Sequence, residues 1–274
     1  MPDDGPKPQI DELRRLLRNI EVKGKTEREA RPRVALEEAV PGREVVVAKG
    51  SLYLIEDDAE RFLAGDEDFA AATDLFFRRA SVNREHLERL DERLGGIADL
   101  SPERLLFLDI ETAGFHGSCL FLIGLLGYEG GRFKVTQLFA RDYAEEAAVL
   151  EYLRKYYRRS QVVVTFNGRA FDLPFIADRA VIHRVSLKPP KAEVDLLHVA
   201  RRIWKGSLPD CRLGTLELCV CGRRRVGDLP SHLIPQAYHD FVETGDARLM
   251  VDVVRHNAYD LVTMAHLLAK MANG

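Results

Sequence analysis

Leu105-Leu106-Phe107-Leu108-Asp109-Ile110-Glu111-Thr112 is the stretch whose reading decides the fold. Four apolar residues run into two acids spaced two apart. In a strand, residues i and i+2 point to one face, so Asp109 and Glu111 are expected to converge at the strand's end. Neighbouring carboxylates repel unless a cation lies between them. Hard oxygen donors suit Mg²⁺ or Mn²⁺, so the pair points to metal-assisted phosphate chemistry.

Outward from this strand, Cys119–Leu126 and Phe133–Phe139 are further apolar runs, joined through Glu129-Gly130-Gly131-Arg132. They predict three consecutive antiparallel strands. A helix is expected at roughly 144–157, a strand at Val162–Phe166 and a helix after Asp172. Further helices are expected at about 197–203, 213–220, 233–243 and 247–269. Three antiparallel strands, a helix, then another strand and helix is the opening order of a ribonuclease-H-like α/β fold.

Upstream, Ile10, Leu13, Leu16, Leu17 and Ile20 recur at helical spacing. Residues 21–42 read as a polar linker or loosely held arm. Val45-Val46-Val47 and Leu52-Tyr53-Leu54-Ile55 predict a hairpin. Residues 67–94 predict one or two helices, with Phe69, Leu75, Phe76, Leu87, Leu90 and Leu94 facing inward. The expected division is a small N-terminal α+β region over 1–100, then a ribonuclease-H-like domain over 101–274.

Composition bounds the function. Of 274 residues, 46% are hydrophobic and 30% charged, as in an ordinary globular protein. A net charge of −3 argues against a strongly basic nucleic-acid coat but leaves room for a local basic groove. No apolar run reaches membrane-spanning length and the start lacks a signal pattern. Cys119, Cys211, Cys219 and Cys221 do not make a disulfide framework. The expected location is the cytoplasm, with no membrane partner. Cys219-Val220-Cys221 has the wrong spacing for zinc, and no zinc is assigned.

Two further segments carry chemistry. Phe166-Asn167-Gly168-Arg169-Ala170-Phe171-Asp172 ends a strand, turns at Gly168 and places Asp172 at a helix start; taken alone, Asp172 reads as an N-cap. His256 and Asp260, in Arg255-His256-Asn257-Ala258-Tyr259-Asp260, share one helix face.

Together these segments resemble the three motifs of the DEDD (DnaQ-like) 3′–5′ exonuclease superfamily, the fold of polymerase proofreading domains. Glu193-Val194-Asp195, Arg201-Arg202-Ile203-Trp204-Lys205, Cys211-Arg212-Leu213-Gly214, Ile234-Pro235-Gln236-Ala237-Tyr238, Gly245-Asp246-Ala247 and His256-Asn257 are similar to the bacterial YprB-type ribonuclease-H-like domain. The similarity spans about residues 103–270. It implies that Asp109, Glu111, Asp172 and Asp260 hold two divalent cations, Mg²⁺ or Mn²⁺, and that His256 is the general base. In the superfamily's histidine subgroup the histidine precedes the last aspartate by five positions. In its tyrosine subgroup a tyrosine precedes by four. Here His256 stands four before Asp260 and Tyr259 adjoins it, so the base remains open between His256 and another residue. Asp195 is a spare carboxylate for a ligand or support role.

Arg201, Arg202, Trp204 and Lys205 combine phosphate-binding charge with a flat ring, and Arg223-Arg224-Arg225 adds a second basic cluster. With Thr112, Asn167 and Phe171 beside the carboxylates, the first four are the expected substrate contacts, each weighed against a solvated or core role. The expected activity is a two-metal nuclease, foremost a 3′–5′ exonuclease on single-stranded ends of DNA or RNA. The alternatives are an endonuclease of the same fold and a non-catalytic nucleic-acid-binding module. Residues 1–100 are a candidate surface for a protein partner.

Overall fold

The structure, a computed structural model, describes residues 32–63, 69, 73, 84–98, 100–115 and 117–273. The expected helix around Ile10–Ile20, and Leu75 and Phe76, lie outside the described residues. A seven-stranded mixed sheet organises the chain, in the order β1-β2-β5-β4-β3-β6-β7. Its strands are β1 (Arg43–Val47), β2 (Gly50–Asp58), β3 (Leu105–Thr112), β4 (Leu120–Glu129), β5 (Arg132–Phe139), β6 (Val162–Thr165) and β7 (Ala192–Asp195). β3 pairs antiparallel with β4 but parallel with β6, and β6 parallel with β7. Ligands in such sheets bind outside the strand carboxyl ends where the order reverses; here that place is the end of β3.

The helices are α1 (Leu36–Ala39), α2 (Arg84–Leu90), α3 (Glu92–Gly95), α4 (Glu146–Arg159), α5 (Asp172–Ile182), α6 (Leu196–Trp204), α7 (Leu213–Cys219), α8 (Ile234–Thr244) and α9 (Arg248–Asn273). The period-two alternation of β3 sorts them onto two faces. Leu106, Leu108 and Ile110 bury against α4, α5, α8 and the first turns of α9. Leu105 and Phe107 bury against α2, α3, α6, α7 and the later turns of α9. Asp109 and Glu111 belong by alternation to the second set. The apolar row of β3 thus becomes an acidic row where it passes the middle of α9. That helix is buried on nearly every side from Val253 to Met271, its buried polar residues His256, Asn257, Thr263 and His266 included. No helix among the described residues is long and apolar enough to cross a membrane.

The expected hairpin forms, and β2 pairs with β5, so the sheet runs across residue 100 in the chain. Residues 34–40 are not loosely held. Leu36 and Val40 are buried, and Val34 accepts a bond from the Ala247 N–H at 2.9 Å. A four-residue helix is too short to leave a periodic signal. β7 is equally short, and its carboxyl end carries Asp195.

Candidate active site

Asp109 and Glu111 sit at the end of β3, where the register with β4 shifts between Glu111 and Thr112. Such bulges re-aim side chains and concentrate beside active sites. Asp109 stands opposite Gly124 on β4, and Gly124 opposite Gln137 on β5. The missing side chain at Gly124 is filled by Asn257 of α9, whose Oδ1 would lie 2.0 Å from a Cβ built there. Gln137 donates to Asn257 Oδ1 at 2.8 Å, and Asn257 Nδ2 donates to Asp109 Oδ2 at 2.7 Å. The row of three strands therefore fixes one carboxylate through a buried amide relay.

Asp172 opens α5 but does not cap it. Its Oδ1 accepts from the Ile110 N–H at 3.2 Å, which ties it to the backbone between Asp109 and Glu111. The capping role falls to Asp195, on α6: Oδ1 accepts from Leu197 N–H at 3.0 Å. The same carboxylate takes the Asn167 N–H at 2.8 Å and the Arg169 N–H at 3.3 Å. Asp195 thus supports the turn that leads to Asp172. Asn167 there has φ of 63°, a left-handed conformation that Asn tolerates better than most residues.

The carboxylates act on one another electrostatically. Burial pushes Asp109 well up from its ordinary value, and repulsion from Asp260, Glu111 and Asp172 adds to it. Burial, Asp260 and Asp172 do the same to Glu111. Asp172 is pushed up to about 7, chiefly by burial, against the stabilising backbone N–H groups. Three acids that resist ionisation in one place mark a site short of positive charge.

Asp260 has found one cation. Arg225 Nη2 meets Asp260 Oδ1 at 2.5 Å, its Nε meets Glu217 Oε2 at 2.6 Å and its Nη1 meets Asp228 Oδ2 at 3.2 Å. His256 lies beside it, buried. Its Nδ1 contacts both oxygens of Asp228 at 2.9 and 3.0 Å. Its Nε2 is 3.3 Å from Ser231 Oγ and 3.5 Å from Asp260 Oδ2. A proton on Nδ1 shared with Asp228 leaves Nε2 as the acceptor, the tautomer an oriented base requires.

The structure brings Asp109, Glu111, Asp172, Asp260 and His256 into one electrostatic neighbourhood. Thr112 ends β3, its hydroxyl donating to Gly114 O at 2.8 Å. Asn167 is exposed, and Phe171 is half-buried against Phe175 with ring centroids 5.6 Å apart. Arg201, Arg202, Trp204 and Lys205 are placed differently. α6 starts directly after β7, and over nine residues its end lies about 12 Å from its start. Arg202 is bonded to Leu90 O and Asp91, and Trp204 packs partly into the second core. Among the described residues no hydrogen bond or ion pair links these four to the carboxylates. Asp228, Arg225 and Gln137 are the members that sequence reasoning missed. Each reaches the site from far along the chain, and only the basic run Arg223-Arg224-Arg225 left a trace.

Residues 106–272 match the RNase_H superfamily. The chain belongs to the ribonuclease H superfamily. Within it, the chain is 34% identical over 178 residues to the "Uncharacterized protein YprB" of Bacillus subtilis (strain 168). The likeness covers 63% of this chain and 43% of that protein, so the chain spans less than half the length of this curated relative. A likeness extends to the structure of the family B DNA polymerase from the hyperthermophilic archaeon Pyrobaculum calidifontis. It has a TM-score of 0.49 and 18% identity, over 61% of this chain and 24% of that one. The superfamily match and the sheet make this a ribonuclease-H-like α/β protein, similar over its matched part to YprB.

Nucleases of the superfamily generally use divalent metals. The donor set here fits such ions in kind, being all oxygen, acidic and mutually repulsive. Among the described residues no three His, Cys, Asp or Glu side chains stand in a metal-holding arrangement. The physical reason is visible: Asp260 is turned to Arg225, Asp109 to Asn257 and Asp172 to the Ile110 N–H.

Proposed function

We propose that this protein is a metal-dependent nuclease that hydrolyses phosphodiester bonds of DNA or RNA, working as a 3′–5′ exonuclease. The observation that carries the reading is the set Asp109, Glu111, Asp172 and Asp260 held in mutual repulsion at the carboxyl end of β3, beside a histidine oriented by a carboxylate. A pure binding module gains nothing from four acids facing phosphates, whereas a hydrolase gains a cation site.

Asp109, Glu111, Asp172 and Asp260 would hold two divalent ions, Mg²⁺ or Mn²⁺. Bound there, the ions supply charge stabilisation for the attacking and leaving oxygens of an in-line displacement. The protein's own groups do the rest. Asn257 fixes the rotamer of Asp109, and the Ile110 N–H fixes that of Asp172. His256 accepts a proton from the attacking water at Nε2, while Asp228 keeps Nδ1 protonated and the ring oriented. A positioned base of this kind contributes about 10²–10⁴-fold. The proposed place of action is the cytoplasm.

The test is degradation of 5′-labelled linear and circular single-stranded DNA and RNA, with Mg²⁺, Mn²⁺ or EDTA. The expected result is a ladder shortening from the 3′ end of linear strands, dependent on metal, with circles intact. Cleavage of circles would replace the exonuclease by an endonuclease of the same fold. Binding without any cleavage would favour the non-catalytic module.

A further inference from the structure

An open cleft with a volume of about 800 Å³ lies between the segment after β2 and the loop that follows α7. Arg61, Phe62, Arg223, Arg224, Arg225 and Tyr259 are among the side chains that line it. The lining carries four arginines against a single acid, Glu217, although the chain as a whole has net charge −3. Positive charge has been gathered in one concave place, where low-dielectric walls strengthen its field.

The cleft is linked to the candidate active site through one of its lining side chains. Arg225 and Tyr259 line it, yet Arg225 is bonded to Asp260 and Tyr259 is its neighbour in α9. The Arg225 guanidinium also lies 5.5 Å from the centre of the Tyr259 ring, and Phe62 meets that ring edge-on at 6.1 Å. The four arginines divide by role. Arg223 and Arg225 are half-buried and bound to Glu217, which anchors the segment. Arg61 is exposed and, among the described residues, pairs with half-buried Asp57. Arg224 is exposed beside Val226, which is 88% exposed. Among the described residues, no hydrogen bond or ion pair engages Arg224.

Resting on the nuclease reading above, we propose that this cleft is the groove along which a single-stranded nucleic acid approaches the carboxylates. Arg61 and Arg224 contact its phosphates, and Phe62, held against Tyr259, offers a flat surface to a base. Planar guanidiniums suit phosphates, and a basic groove with interleaved rings is the general form of a single-strand site. A cleft of this volume is in the range of small-ligand sites, which suits a few nucleotides of one strand rather than a duplex. The proposal also gives the segment after β2 a role: Ala59–Phe62 supplies one wall of the groove, and α7 with the following loop supplies the other.

Fluorescence anisotropy of a labelled twelve-nucleotide single strand, in EDTA and over a range of salt, tests this with the full chain. Arg224→Ala and Arg61→Ala should each weaken binding about fivefold and flatten the slope of log K against log salt by about 0.7. Lys191→Ala, an exposed cation before β7, should bind like wild type. Circular dichroism confirms that each variant is folded. Wild-type affinity and slope in both arginine variants, or no binding by wild type, overturn the groove. So does tighter binding of a labelled Asp/Glu peptide than of the strand, which would make the cleft a protein-docking site. Cleavage is scored separately. Arginine-dependent binding without cleavage by wild type leaves the groove standing and removes the nuclease, whereas cleavage unaffected by either arginine does the reverse.

Discussion

Gly124→Ala reports on the relay that holds Asp109. The new Cβ would lie 2.0 Å from Asn257 Oδ1, where ordinary contact begins at 3.4 Å, a shortfall of 1.4 Å. Asn257 cannot swing aside freely, because Gln137 holds its oxygen and Asp109 its nitrogen. Yielding means losing both hydrogen bonds, about 1 kcal/mol each or more where the partner is charged. Holding them means shifting α9 against β4, an overpacking strain of about 1–3 kcal/mol. Replacing glycine in a strand returns about 0.5–1 kcal/mol. The net expectation is a loss of about 1–2 kcal/mol, or roughly 2–8 °C in Tm for a chain of this size. Urea unfolding in EDTA measures it independently of any activity. The decisive comparison is the double variant Gly124→Ala/Asn257→Ala, which removes the clashing atoms. Its loss should fall short of the sum of the single losses by at least about 1 kcal/mol, since the sites touch. Additive losses, or a Gly124→Ala protein within about 0.5 kcal/mol of wild type, would refute the close approach and the relay with it.

Other expectations follow from named contacts. Asp228→Asn should lower kcat about 10–100-fold with little change in KM, because it disturbs the tautomer of His256 and not substrate contacts; steady-state kinetics on a linear strand checks it, and an unchanged kcat would remove Asp228 from the site. Buried Glu146 is held below its ordinary value of 4.5: burial opposes its charge, but Arg179, the Leu120 N–H and His183 outweigh it. A depressed carboxylate contributes stability above its unfolded pKa and loses it as pH falls. The stability gap between wild type and Glu146→Gln should therefore be full at pH 7 and shrink below about pH 4.5; a gap independent of pH would contradict it. Burial pushes the Cys119 thiol up to about 12, so iodoacetamide at pH 8 should label exposed Cys219 first and Cys119 only on unfolding, as mass spectrometry would show.

The sequence made the strands and helices of the sheet legible because long apolar alternation and helical periodicity leave strong traces. β3 to β6 and α4 to α9 lie within a few residues of where those patterns put them. β7 and α1 were not legible: each is four residues and, unlike the equally short β6 with its run of three valines, neither is continuously apolar. The carboxylates could be read because each sits where an element begins or ends, and strand spacing alone aims Asp109 and Glu111 together. Asp228 could not be read. It lies in an irregular loop, 28 positions before His256, and nothing local marks it. The same is true of Gln137, one of many strand residues until Gly124 and Asn257 give its amide a task. Arg201 to Lys205 carried an attractive composition. Among the described residues, no hydrogen bond or ion pair joins them to the carboxylates, and Arg202 is held at Leu90 O and Asp91 instead.

The central claim is that the four acids are a divalent-cation site and that their repulsion is relieved when the ions bind. Calorimetric titration of the full chain with Mn²⁺, wild type beside Asp109→Asn and Asp172→Asn, tests it most directly. The account predicts saturable binding of about two ions per wild-type chain, with at least one lost in each variant while both remain folded. Absence of Mn²⁺ binding by wild type, or binding undiminished in both variants, would contradict it.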